Sequence, residues 1–431
     1  MERTDRQVNK SKPRLLVTTS TLPRHEHDPE PRFVLDLARA LSDRFDITVL
    51  APSFPGAKPR ATLFGVEIAY YRYAPFRSWE RLAYPGGIMP RLKASPMNWL
   101  LVPGLVLGQA IALRRLLKRN RFNLVHAHWT LPQGLVAAAL PGTMRPPLVV
   151  TSHGGDVFTL GSGPFRGLVR YVLRRASATT VVSAELLAEC RAILATADDS
   201  GTTDSRIHHI PMGVDCAHFA NAASKASRPA DMPPQGPVIL FVGRLAPKKG
   251  VNVLLDALAE PLAGLSGAQL VIIGDGPARD EWLAQAKRLD LANRVHFLGS
   301  RDHRSLPAYF AAADIIALPS VHSRDGDKDG LPVTLLEAAA CSLPAIASRL
   351  AGIPEFIEEG YNGMLVPPGD SHALALALAE LLSNSDRRRS YSRAALAKAG
   401  EFDWSVIADR HASVFLSVLS ADVAATSTER R

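Results

Sequence analysis

The sequence is short of several things whose absence narrows its class. It holds three cysteines, Cys190, Cys216 and Cys341, odd in number and widely spaced. That excludes a disulfide framework and any Cys-x-x-Cys metal set, so all three read as packing residues in a reducing compartment. It has no apolar leader: residues 1–13 are polar and charged, and the first apolar run, Leu15 to Val17, is far too short to span a bilayer. A cytoplasmic protein is the expectation. Neither half shows a G-x-G-x-x-G after its first strand, which disfavours a dinucleotide oxidoreductase. Aromatic residues make up 6% of the chain, and no module interleaves them with arginine, so nucleic acid is not an expected partner.

What is present is a globular composition, 47% hydrophobic and 21% charged over 431 residues, enough for two domains. The net charge of +9 is lopsided: residues 1–215 hold 28 Lys and Arg against 17 Asp and Glu, and residues 216–431 hold 22 against 24. The basic excess therefore lies in the first half, where it suits an anionic membrane or a phosphorylated substrate. Short aliphatic runs alternate with helical patterns, the signature of parallel sheets covered by helices. In the first half the predicted strands are Arg14–Thr18, Ile47–Leu50, Leu124–Ala127, Leu148–Ser152, Thr179–Val182 and Ile207–Ile210, with a helix over Phe33–Leu41. In the second they are Val238–Val242, Gln269–Ile273, Val295–Leu298, Ile315–Leu318 and Ala345–Ala347. The fold class is α/β with two Rossmann-like domains facing a central cleft: residues 1–13 disordered, 14–214 the first domain, 215–236 a linker, 237–400 the second domain. Residues 401–420 are predicted as a helix packing back on the first domain, and 421–431 as a disordered tail. Ligands in such sheets sit at the carboxyl ends of the strands.

The stretch from Asp327 to Ala340 carries the strongest chemical signal. Asp329 and Glu337 stand eight apart around a loop, Gly330-Leu331-Pro332-Val333, that feeds a helix-favouring run. A helix N-terminus there favours a diphosphate, and the acids suit hydroxyls of a sugar or ribose. The alternative is a surface helix with a solvated glutamate. The second half opens with a strand followed by Gly243-Arg244-Leu245-Ala246-Pro247-Lys248-Lys249-Gly250, which places cations at a strand's carboxyl end. Arg244 as a fork and Lys249 as a point charge suit the same diphosphate.

These segments, with Val125-His126-Ala127-His128, Thr151-Ser152-His153-Gly154-Gly155-Asp156, Ile210 to Asp215, Ile273 to Pro277, Ala351 to Glu355 and Asn362 to Asp370, resemble in kind and order the family-four retaining glycosyltransferases. The resemblance covers nearly the whole chain and implies the GT-B fold, with an NDP-sugar donor in the C-terminal half and the acceptor in the N-terminal half. It implies catalytic roles for His153 and Asp329 facing the transferred sugar and for Arg244 and Lys249 on the diphosphate. Glu337 becomes the ribose-binding acid. Gly243, Gly330, Leu331, Val333 and Asp156 line the substrate, and the backbone from Leu298 to Arg301 meets the base, of a UDP-sugar by preference or a GDP-sugar. Retention without a protein nucleophile implies that the leaving diphosphate takes the acceptor's proton, with no metal and no cofactor.

Two departures stand out. The first acid is Asp329 where the pattern usually has Glu, which leaves the donor sugar open. The loop after the first strand, Pro23-Arg24-His25-Glu26-His27-Asp28-Pro29, lacks the Gly-Gly pair of many relatives, and His25 and His27 lack partners at metal-ligand spacing. Finally, Met97–Leu113 is almost wholly apolar between Arg91 and Lys93 on one side and Arg114, Arg115, Lys118, Arg119 and Arg121 on the other. Pro103-Gly104 interrupts it, so it is read either as a helix buried on the sheet or as a peripheral contact with the inner face of the plasma membrane, near a glycan or lipid-linked acceptor. The competing readings are a nucleotide-sugar hydrolase or phosphorylase of the same fold, and a non-enzymatic basic adaptor for membrane or nucleic acid.

Overall fold

The computed structural model describes residues 12–28, 30–84, 86–195, 205–322 and 330–428. Two sheets form. The first takes β1 (Arg14–Thr18), β2 (Asp46–Pro52), β3 (Arg60–Leu63), β4 (Val66–Tyr71), β5 (Leu124–His128), β6 (Leu148–Ser152), β7 (Ala178–Val181) and β8 (Ile207–His209) in the order β3-β4-β2-β1-β5-β6-β7-β8. All its pairings are parallel except β3 with β4. The second takes β9 (Val238–Val242), β10 (Gln269–Ile273), β11 (Val295–Gly299), β12 (Ile315–Leu318), β13 (Ala345–Ser348) and β14 (Gly363–Val366) in the order β11-β10-β9-β12-β13-β14. The order reverses between β1 and β5 in one sheet and between β9 and β12 in the other. Those are the crevices where loops part and ligands enter.

Central strands are buried on both faces, which is why β5 and β9 are buried at every position. Alternation then splits the first domain's core in two: Leu15 and Val17 of β1 face one cluster, Leu16 the other. The first cluster is covered by the helix Phe33–Leu41, whose Val34, Leu35, Leu37, Ala38 and Leu41 are buried at helical spacing. Its other cover comes from the far end of the chain. The helix Trp404–Thr428 crosses back and buries Trp404, Ile407, Ala412 and Phe415 there, with the Phe415 ring 5.7 Å from Phe45. This helix runs on to Thr428, where the sequence leads to the expectation of a disordered tail from residue 421.

Residues 215–236 also differ from the expected linker. Asp215 caps the helix Cys216–Ser224 by accepting the His218 N–H at 2.9 Å, and Phe219 buries itself against Phe310 of the second domain. An alanine- and serine-rich composition concealed two apolar anchors, Phe219 and Met232. At the crossing itself the two connections are stitched together: Val214 N donates to Phe402 O and Trp404 N to Val214 O, both at 2.9 Å. Gly213 is required beside them, since a Cβ there would enter the Trp404 ring. Trp404→Ala should therefore cost about 3 to 5 kcal/mol, as expected for truncating a large buried aromatic, and Gly213→Ala should also destabilise. Urea unfolding followed by Trp fluorescence or circular dichroism measures both, and a midpoint unchanged in either variant contradicts this account of the crossing.

Candidate functional site

Backbone crowding builds the second domain's side of the cleft. At the ends of β9 and β10, Gly243 N donates to Ile273 O at 2.9 Å, and Gly274, at φ +140°, lies so close that a Cβ would strike the Gly243 carbonyl. Gly250, at φ +66°, packs against the Pro319 carbonyl with no room for a Cβ and starts the helix Val251–Ala259. Arg244 and Lys249 occupy the loop between these fixed points. Arg244 is exposed and reaches across the cleft, where its Nη1 donates to Gly86 O of the first domain at 2.8 Å.

Glu337 lies buried on the helix Val333–Ala340, and its Oε1 is 2.8 Å from His303 Nε2. Burial alone would lower the His303 pKa, but the hydrogen bond and charge of Glu337 outweigh it and hold the imidazole above its ordinary value. Gly330 and Leu331 precede this helix and meet the end of β7: a Cβ on Gly330 would lie 3.5 Å from Val182 Cγ2, and Leu331 is buried. Val333 packs on the first domain's core. Gly330 to Val333 are thus pressed between the domains. Asp329 lies outside the described residues.

On the opposite wall, β5 and β6 present histidines. His153 follows β6, its Nε2 2.9 Å from His128 Nδ1, with the rings of Trp129 at 4.7 Å and Phe33 at 4.9 Å. His126 lies behind, 2.6 Å from Thr151 Oγ1, and its ring sits 5.8 Å from that of His411 on the returning helix. Burial pushes His126 and His128 well below the ordinary value, and pushes His153 and His411 down to about 3. All four are neutral at pH 7. Asp156 is buried and accepts from Thr130 N (2.7 Å), Thr130 Oγ1 (3.0 Å), Ser152 Oγ (2.8 Å), His153 N and Gly154 N (both 3.2 Å). A carboxylate so filled by protein donors fixes the His153 turn, and offers little to a substrate.

Arg301 is similarly committed: Nη2 donates to Asp231 Oδ2 at 2.6 Å and Nε to Tyr309 Oη at 3.1 Å, and Leu298 is half-buried. The structure therefore brings Arg244 to Gly86, Glu337 to His303 and His153 to His128, none of which adjacency in sequence signals. Glu355 is another residue without an expected role. It accepts the Ala184 N–H at 2.7 Å and pairs with His209 at 2.9 Å, tying the two domains at the start of the helix Ala184–Leu194. Among the described residues no three His, Cys, Asp or Glu side chains converge as a metal site.

The neutral histidines carry a stability signature. Free histidine gains a proton near pH 6.5, whereas folded His153 and His411 resist until about 3. Their depressed values favour the folded state fully above pH 6.5, and that contribution is lost as pH falls from 6.5 towards 3, by up to about 1.4 kcal/mol per pH unit per group. His411 Nδ1 is buried without a partner, so a leucine there sacrifices no hydrogen bond of that atom. His411→Leu should flatten the fall of Tm between pH 7 and pH 5. Scanning calorimetry at both values decides it, and an unchanged slope would remove His411 from this account.

The wider comparison agrees with this geometry. Residues 31–218 match the family profile described as Glycosyltransferase Family 4, and residues 224–398 that of Glycosyl transferases group 1. The phosphatidyl-myo-inositol mannosyltransferase of Mycobacterium leprae is 31% identical over 390 residues, 90% of this chain and 92% of that protein. The D-inositol 3-phosphate glycosyltransferase of Segniliparus rotundus is 29% identical, covering 77% and 75%. Among solved structures, sucrose-phosphate synthase from Thermosynechococcus elongatus superposes with a TM-score of 0.74 at 20% identity, over 95% of this chain and all of that one. Anabaena Alr3699/HepE in complex with UDP gives 0.66 at 21%, over 94% and 100%. With two cations on one wall of the cleft and neutral histidines on the other, the chain belongs to glycosyltransferase family 4, a retaining transferase of GT-B fold that uses a nucleotide-sugar donor.

Proposed function

We propose that the protein transfers a hexose from a UDP- or GDP-sugar to a membrane-held, lipid-linked glycan during cell-surface polysaccharide or glycolipid synthesis. The observation that carries the acceptor assignment is the helical segment Pro96–Arg119, whose most apolar window has a mean hydropathy of 1.6 and is only 17% buried. It is long and apolar enough to cross a bilayer, yet one face is fixed to the protein. Gly104 and Gly108 pack directly on the Tyr73 and Arg72 carbonyls, and Gln109 donates to Thr18 Oγ1 at 3.0 Å. Pro103 does not interrupt it, because it falls in the first turn of the helix Val102–Arg119, where no N–H is needed. The other face exposes Met97, Trp99, Leu100, Leu107 and Ile111, beside exposed Phe76 and Trp79. An apolar ridge between cationic flanks, held on the face of the first sheet, fits a surface that lies on an anionic leaflet and does not span it.

For the chemistry, Arg244, Lys249 and the N–H groups before the helix Val333–Ala340 balance charge growing on the leaving diphosphate. Neutral His153 hydrogen-bonds the sugar without adding charge. Among the described residues the cleft carboxylates are already engaged, Asp156 by five donors, Glu337 by His303 and Asp36 by Arg32 at 3.1 Å, which favours proton transfer to the departing diphosphate over a protein nucleophile.

Arg244→Ala and Lys249→Ala should each lose on the order of 2 to 4 kcal/mol of transition-state stabilisation, read as kcat/KM with the preferred donor. Glu337→Gln should raise the donor KM. Near-native kinetics in both cation variants overturn the diphosphate assignment. The acceptor reading is tested by co-sedimentation with anionic and neutral liposomes at low and high salt. Binding to anionic vesicles that weakens with salt, and weakens further in Leu100→Glu or Leu107→Glu, is expected; equal failure to bind both vesicle types contradicts it.

A further inference from the structure

The charged side chains of the loop after β1 have no part in the roles assigned so far, and the structure gives each a partner. Arg24 closes the loop on itself, its N–H and Nε both 2.7 Å from Asp28 Oδ2 and its Nη2 2.9 Å from Oδ1. Glu26 and His27 reach over the cleft, to Arg304 Nη2 at 2.8 Å and Asp302 Oδ2 at 3.0 Å. Glu30 turns inward. It is buried, and its Oε1 accepts the Gly86 N–H at 2.6 Å. The carbonyl of the same Gly86 accepts Arg244 Nη1 at 2.8 Å. One residue therefore links a buried carboxylate to the guanidinium of the diphosphate loop. Gly86 sits at φ +82°, a conformation that calls for glycine, and a Cβ on it would lie 3.0 Å from Arg244 Nη1, so the guanidinium would have to shift.

An exposed arginine normally loses side-chain freedom when it takes a ligand, and that loss weakens binding. Anchoring one N–H beforehand removes part of the loss and leaves four of the five guanidinium donors, with no other hydrogen bond recorded for them among the described residues. We propose that Glu30, acting through the Gly86 backbone, is the positioning residue of Arg244, holding the guanidinium extended over the cleft with its remaining donors turned to the donor's diphosphate. This rests on the diphosphate role given to Arg244 above. Glu30 itself touches no phosphate. Its carboxylate fixes a glycine that has no side chain to fix it, and the glycine fixes the arginine.

The test is calorimetric titration of the full chain with UDP and GDP, and with UMP and GMP as controls. Glu30→Ala should narrow by about tenfold the margin by which the diphosphate outbinds the monophosphate, with monophosphate affinity unchanged. Glu30→Gln keeps the acceptor oxygen and should stay within about twofold of the native protein. Gly86→Ala leaves the Gly86 N–H bond to Glu30 in place but displaces the guanidinium, and should match Glu30→Ala; it also serves should Glu30→Ala fail to fold. In an Arg244→Ala background neither change should have a further effect. A native margin in Glu30→Ala or Gly86→Ala, an equal loss in Glu30→Gln, or a further loss without Arg244 overturns the proposal while leaving the diphosphate assignment intact. A native margin in Arg244→Ala alone removes that assignment, and the proposal with it.

Discussion

The chain passes between its two sheets twice, and the two passages are bonded to each other. The exchange of main-chain bonds between Val214, Phe402 and Trp404, reinforced by the Cys216 N–H to Asp403 Oδ2 at 3.2 Å, is the constraint on which the cleft depends. Each parallel sheet sends its loops out at the carboxyl ends of its strands, and a site forms only if those ends face each other. The crossing, with Trp404 seated over Gly213, sets that opposition. Glu355 then adds a second tie near the acidic loop, where Gly330 meets Val182.

Across the cleft the two walls divide the electrostatic work. The second domain supplies Arg244, Lys249 and a helix start, all suited to negative charge. The first domain supplies imidazoles that burial keeps uncharged. In the proposed reaction, a cationic histidine beside the sugar would oppose positive charge developing at the anomeric carbon as the bond to the diphosphate stretches, and a neutral one does not. Low pKa values on this wall therefore match the chemistry of the other.

The strands at the centre of both sheets were legible because burial on both faces demands continuous aliphatic runs, as in Val238–Val242 and Leu148–Ser152. Of the four edge strands, Ile207–His209 and Val295–Gly299 were legible as well, and the other two were not. Arg60–Leu63 is half polar and Gly363–Val366 opens on glycine, so neither carries the pattern that marks a buried strand. Val66–Tyr71 was missed too: its burial does not alternate strictly, and Glu67 interrupts the apolar run. Site residues fared according to how local their signal is. Arg244, Glu337 and His153 sit in compact motifs, whereas His303, Gly86 and Glu30 matter only through partners 34 to 158 positions away. Asp156 stood in a readable motif and still misled, since a sequence does not show that five donors already surround a carboxylate.

The returning helix makes the first domain discontinuous in sequence. Residues 14–214 leave part of one face of their sheet uncovered until Trp404 to Val418 arrive. On a ribosome adding about 5 to 20 residues per second, the 190 positions from 214 to 404 take roughly 10 to 40 s to make. During that interval the first half of the newborn protein exposes the apolar surface of Phe45, Val34 and Leu37 while the second domain folds beside it. The half made first is the half completed last, and it is the one a chaperone would find waiting.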